Sequence, residues 1–97
     1  MPKYVILLNW TDQGVKNVKD TVKRSEQARA AIEKVGGRLL SIHWTQGTYY
    51  IVAIAEYPDD ETASAVNLTV AMGGSIRSET MRAFNAEEMQ RVLDKIP

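Results

Sequence analysis

The chain reads as an α+β domain whose elements run β-α-β-β-α-β-α, and three features of its 97 residues predict this. KYVILLN (3–9), RLLSIHWT (38–45) and YYIVAIAEY (49–57) are dense in β-formers and too short for core helices. Two intervening stretches carry apolar residues at helical spacing, and each closes on Gly-Gly. The last stretch repeats Met89, Val92, Leu93 and Ile96 at i, i+3, i+4 and i+7. The first six elements match the ferredoxin-like plait, a four-stranded antiparallel sheet of order 4-1-3-2 with both crossover helices on one face and here an extra C-terminal helix.

Each element has its own warrant. The opening strand is apolar at both odd and even positions, as expected of a strand buried on two faces. TDQGVKNVKDT (11–21) is polar and turn-rich, so it serves as a connection with room for one helical turn. Ala28, Ala31, Ile32 and Val35 then mark one face of a helix over 22–35, ended by Gly36-Gly37. Gln46-Gly47, alone or with one neighbour on either side, reads as the hairpin loop, because a two-residue turn needs positive φ. That register sets Trp44 opposite Tyr49, His43 opposite Tyr50 and Ile42 opposite Ile51. Leu40, Ile42, Trp44, Tyr49, Ile51, Ala53 and Ala55 then share the helix side. Leu39, Ser41, His43, Tyr50, Val52, Ile54 and Glu56 share the other.

Pro58 stops the third strand, and Asp59-Asp60-Glu61 opens a helix with carboxylates suited to capping. Ala63, Val66 and Val70 are its stripe, and Gly73-Gly74 its end. SIRSETMRAF (75–84) is the fourth strand. Asn85 and Glu88 form a capping box ahead of the last helix. All of this fits one domain, 1–97.

Composition removes several classes of function. Lys plus Arg equals Asp plus Glu at 12 each, so net charge is zero and makes no electrostatic case for nucleic acid or anionic membrane, although it leaves room for local single-sign patches. An RNA-binding plait would also want Lys or Arg before the glycine of GTYYIVAIA. Without cysteine there are no disulfides, thiolate nucleophiles, iron–sulfur clusters or Cys-type zinc sites. The longest early apolar run, Val5-Ile6-Leu7-Leu8, is far short of a membrane span. MPKY shows no cleavable signal pattern, and the expected location is cytoplasmic. No cofactor and no metal is assigned.

Strands apolar on both sides leave a large apolar patch on the face that the helices do not cover. Lone monomers rarely tolerate this, so a homodimer or higher homo-oligomer is expected through that face. In order 4-1-3-2 the C-terminal ends of the first two strands lie at one edge of the sheet, about 9.6 Å apart. NWTDQG (9–14) and HWTQGTYY (43–50) therefore converge. Asn9, Trp10, Thr11, His43, Trp44, Tyr49 and Tyr50 form an aromatic, polar-tipped corner, with Arg82 assigned to the site or the interface.

YVILLNWTDQG, HWTQGTYYIVAIAEYPDDETA and IRSETMRAF together resemble the GYD domain family over nearly the whole chain. The resemblance implies the plait and a kinship of fold with dimeric α+β barrels, which include cofactor-independent oxygenases, isomerases and ligand-binding modules. The family signature runs Gly-x-Tyr-Asp; Gly47 and Tyr49 match it, and Tyr50 stands at the acidic position. Any chemistry of that acid is closed to this chain.

The expected function is a homo-oligomeric domain binding a small planar or aromatic ligand at the corner of 9–11 and 43–50. The first alternative is a cofactor-independent enzyme with His43 as base. The second is a structural assembly subunit without a pocket. Lys16, Lys19, Lys23 and Arg24 read as a solvated basic face.

Overall fold

The computed structural model describes residues 1–97. Strands β1 (Lys3–Trp10), β2 (Arg38–Trp44), β3 (Ile51–Glu56) and β4 (Ile76–Ala83) form one sheet in the order β2-β3-β1-β4. That is the expected plait order read from the other edge, and all three pairings are antiparallel. The helices are α1 (Asp12–Lys16), α2 (Thr21–Lys34), α3 (Asp60–Met72) and α4 (Ala86–Asp94), with a 3-10 turn at Val18–Asp20. The polar 11–21 stretch thus folds as a short helix and a turn. No helix is long and apolar enough to cross a membrane.

Side-chain oxygens start three of the helices by accepting orphan backbone N–H groups. Thr11 accepts from Gly14, Asp59 from Thr62 at 2.7 Å, and Asn85 from Glu88 at 2.8 Å. Glu88 accepts in return from the Asn85 N–H at 2.9 Å, which completes the capping box. That bond is the main reason the Glu88 carboxyl sits below its ordinary pKa.

The hairpin differs from the sequence expectation. Trp44 pairs with Ile51, His43 with Val52 and Ile42 with Ala53, so the register is displaced by two residues. Residues 45–50 form the connection, with Gly47 at φ +108°. Two contacts from β1 explain it. The Tyr50 N–H donates to Leu8 O at 3.1 Å and to Asn9 Oδ1 at 3.2 Å, while its carbonyl accepts from the Thr45 N–H at 2.8 Å and extends the displaced register.

A slip of two keeps each side chain on its face, so Ile42 and Trp44 stay on the helix side. A bulge between Leu39 and Ser41 then reverses the phase. Leu39 is buried and Leu40 exposed, the opposite of the expected allocation.

The core holds Tyr4, Ile6, Ile32, Leu39, Ala53, Ala55, Tyr57 and Ala63. Each large apolar side chain buried there stabilises the fold by about 1.5–3 kcal/mol. Burial is deepest around Tyr57, the largest fully buried side chain, which meets Tyr4 edge-on at 5.7 Å. It thins toward Trp10, which is only partly covered.

Helix α2 lies over β2 and α3 over β4, so the central strands β1 and β3 floor the gap between them. Helix α4 has no extended packing partner, and Met89, Val92, Leu93 and Ile96 are each at least 38% exposed. The Cα radius of gyration, 14.5 Å, exceeds the roughly 13 Å of a compact chain this long, in keeping with a projecting α4.

Candidate functional site

The gap between α2, α3 and the sheet is a cavity of about 120 Å³. Leu8, Trp10, Ile51 and Ala53 come from the sheet, Ala28 and Ile32 from α2, and Val66 and Val70 from α3. It exists because α2 presents small and polar residues over its first turns. Thr21, Arg24, Ser25 and Ala28 continue the phase of Ile32 backwards, and they do not reach far enough to fill the space.

Part of the aromatic corner is assembled beside this cavity. Trp10 stacks on Tyr50 with ring centroids 5.3 Å apart and planes inclined by 22°. Asn9 Nδ2 donates to Thr48 O at 2.9 Å while its Oδ1 accepts from Tyr50, so the amide clamps the loop to the end of β1. Trp44 Nε1 donates to Thr21 Oγ1 at 2.9 Å, tying β2 to the start of α2.

Thr11 is occupied in structure. Its hydroxyl donates to Gly74 O at 2.5 Å and accepts from Gly14 N. Gly14 follows in a tight space, since a Cβ there would lie 1.9 Å from Ser75 O. NWTDQG therefore supplies one cavity wall, one loop clamp, one cap and one close approach.

Other predicted residues point elsewhere. His43 is exposed on β2 opposite Val52 and does not line the cavity. Tyr49 hydrogen-bonds Glu79 of β4, and that bond is the main cause of its raised pKa. Glu79 alternates with Ser78 and Thr80, which face the helices, so Tyr49 lies toward the helix-free side instead of the expected helix side.

Arg82 pairs in register with Tyr4, at the far end of β1 from Trp10. Its guanidinium lies 5.8 Å from the Tyr4 ring centroid, 4.6 Å from that of Phe84 and 3.9 Å from Glu88. It braces β4 against α4 and is not brought to the corner.

Sequence reasoning missed Arg24 and Thr21 as cavity residues. The signal was present in helical phase: both precede Ala28 by whole turns, at i−4 and i−7.

Fold and cavity define a small α+β plait with an apolar chamber under its crossover helices and an open opposite sheet face. The chain belongs to the GYD domain family, whose model matches residues 4–93. It is similar to a Thermus thermophilus protein named glutamine synthetase and cystathionine beta-lyase binding protein. Identity is 24% over 90 residues, spanning 92% of this chain and 95% of the relative. Among solved structures, TTHA0845 from Thermus thermophilus shares the fold with a TM-score of 0.55 at 22% identity. That match covers 89% of this chain and 96% of the other.

Proposed function

We propose that this chain is a homo-oligomeric binding domain that takes a small planar or aromatic ligand. The observation that carries the reading is the apolar cavity beside Trp10. The ligand position is thereby drawn inward from the corner of 9–11 and 43–50. Trp10 belongs to both, Trp44 holds the lining residue Thr21, and Tyr50 backs the indole. Asn9 and Thr11 support the walls, and Tyr49 stands outside them on the helix-free side. The enzyme alternative with His43 as base loses ground, because His43 lies outside the cavity.

Thermal shift against single-ring aromatic compounds tests this, since a ligand bound only by the native state raises stability by about 2.7 kcal/mol at a hundred times its Kd. Ala28→Leu fills the cavity from α2 and should abolish the shift. A wild-type chain indifferent to every single-ring compound sinks the ligand reading.

The second copy belongs on the helix-free face, where Val5, Leu7, Val52 and Ile54 form a half-buried apolar strip. The apolar stripe of α4 is another surface that its own chain leaves open, and the two are complementary in character. Sedimentation should find an oligomer that Leu7→Arg dissociates; a pure monomer at micromolar concentration would overturn it.

A second reading, engagement of a different protein, is favoured by that same α4 stripe and by the relative named for binding two enzymes. If Leu93→Asp leaves the oligomer whole, the α4 stripe is free for such a partner.

A further inference from the structure

Fourteen of the 21 residues lining the cavity are hydrophobic, and one, Arg24, is charged. Arg29 donates to Leu39 O at 3.1 Å, and Arg38, Arg82 and Arg91 pair with Glu56, Glu88 and Glu87. Arg24 belongs to none of the chain's ion pairs or side-chain hydrogen bonds. It lines the cavity and is exposed, so the residue stands at the rim and not in the floor.

One turn earlier on α2, Thr21 Oγ1 accepts from Trp44, which leaves its own hydroxyl proton available to donate. Ser25, the residue after Arg24, commits its proton to Val22 O at 2.6 Å. No carboxylate lines the cavity. Along its α2 rim the apolar body of the site thus ends in one unpaired cation and, a turn away, one hydroxyl free to donate.

We infer that the ligand is a small monocarboxylate, with its ring or short chain among Leu8, Trp10, Ile51 and Val66 and its carboxylate on Arg24 and Thr21. This rests on the cavity being the ligand site. A guanidinium presents two parallel N–H donors, which match the two oxygens of a carboxylate. Placing that pair at the rim keeps both charges near water and avoids the desolvation cost of a buried ion pair. The cavity is close to the ~150 Å³ that admits a benzene ring, which sets the size of the apolar part.

The test compares benzoate with benzamide, equal in shape and different in charge, by thermal shift and by titration of tryptophan fluorescence. The wild-type chain should prefer benzoate about tenfold, with the preference shrinking as salt rises. Arg24→Gln should remove the preference, weakening benzoate far more than benzamide. Equal binding of acid and amide by the wild-type chain, or a preference that survives Arg24→Gln, overturns the carboxylate inference alone. Failure of both compounds, together with all neutral single-ring probes, overturns the cavity reading beneath it.

Discussion

Trp10 stacks on Tyr50 at 5.3 Å while the same indole lines the cavity, so one side chain joins the 45–50 loop to the chamber under the helices. The stack takes the space at the corner that a planar ligand would otherwise use. Behind it, Asn9 holds the loop with both ends of its amide.

Loosening that arrangement should be visible in tryptophan emission. Tyr50→Ala removes a pair contact of about 0.5–1.5 kcal/mol and should shift the emission to the red as water reaches Trp10. Asn9→Ala should cost about 1 kcal/mol by freeing the Thr48 carbonyl and leaving the Tyr50 N–H to Leu8 O alone, lowering Tm by roughly 4–8 °C per kcal/mol. Tyr50→Phe keeps the ring and should match the parent. Unchanged emission in both alanine variants would show that the loop does not shield the indole.

Gly14→Ala should be among the most damaging single-methyl changes in the chain. Its Cβ would sit 1.9 Å from Ser75 O and 2.9 Å from Ser75 C, against backbone that α1 itself pins through Thr11. Overpacking of this kind costs about 1–3 kcal/mol or more. Gly47→Ala meets no atom within 4 Å and is strained only by its φ of +108°, a cost of about 1–2 kcal/mol. Chemical denaturation should rank Gly14→Ala as the worse variant; the reverse order would mean that α1 moves freely off β4.

Alkaline stability should turn on Tyr4. Burial first, and then its hydrogen bond to Asp60, push the Tyr4 hydroxyl up to about 12. A raised value means the folded state holds the proton more tightly than the unfolded chain. The stabilisation is therefore complete below about pH 10, the unfolded value, and is lost as pH climbs toward 12. Tyr4→Phe should cost about 0.5–1.5 kcal/mol at neutral pH and flatten the loss between pH 10 and 12. Denaturant melts across that range, with tyrosinate absorbance followed in parallel, decide it. An equally steep loss in Tyr4→Phe would assign it to other groups.

Much of the fold was legible because its signals are local. Thr11, Asp59 and Asn85 cap their helices through atoms three residues away at most, and strand composition announced four strands in plait order. The convergence of Asn9, Trp10 and Tyr50 also followed from topology alone, since antiparallel order brings the end of β1 to the start of β3.

Non-local contacts decided the rest. Gln46-Gly47 is a sound two-residue turn in isolation, yet Leu8 and Asn9 capture the Tyr50 N–H and displace the register by two. The bulge that buries Leu39 and exposes Leu40 leaves no local mark, because both residues are leucine. Tyr49 and Tyr50 are neighbours of one chemistry, and only the positions of Glu79 and Trp10 separate their roles. Arg24 looks like any solvated helix cation in sequence. It becomes the one charge of an apolar chamber only because α2 and α3 are splayed over the sheet. Caps and periodicities act within a turn or a strand and can be read from the chain itself. Register, face and cavity depend on which distant backbone group a donor reaches, and that choice is made only when the sheet closes.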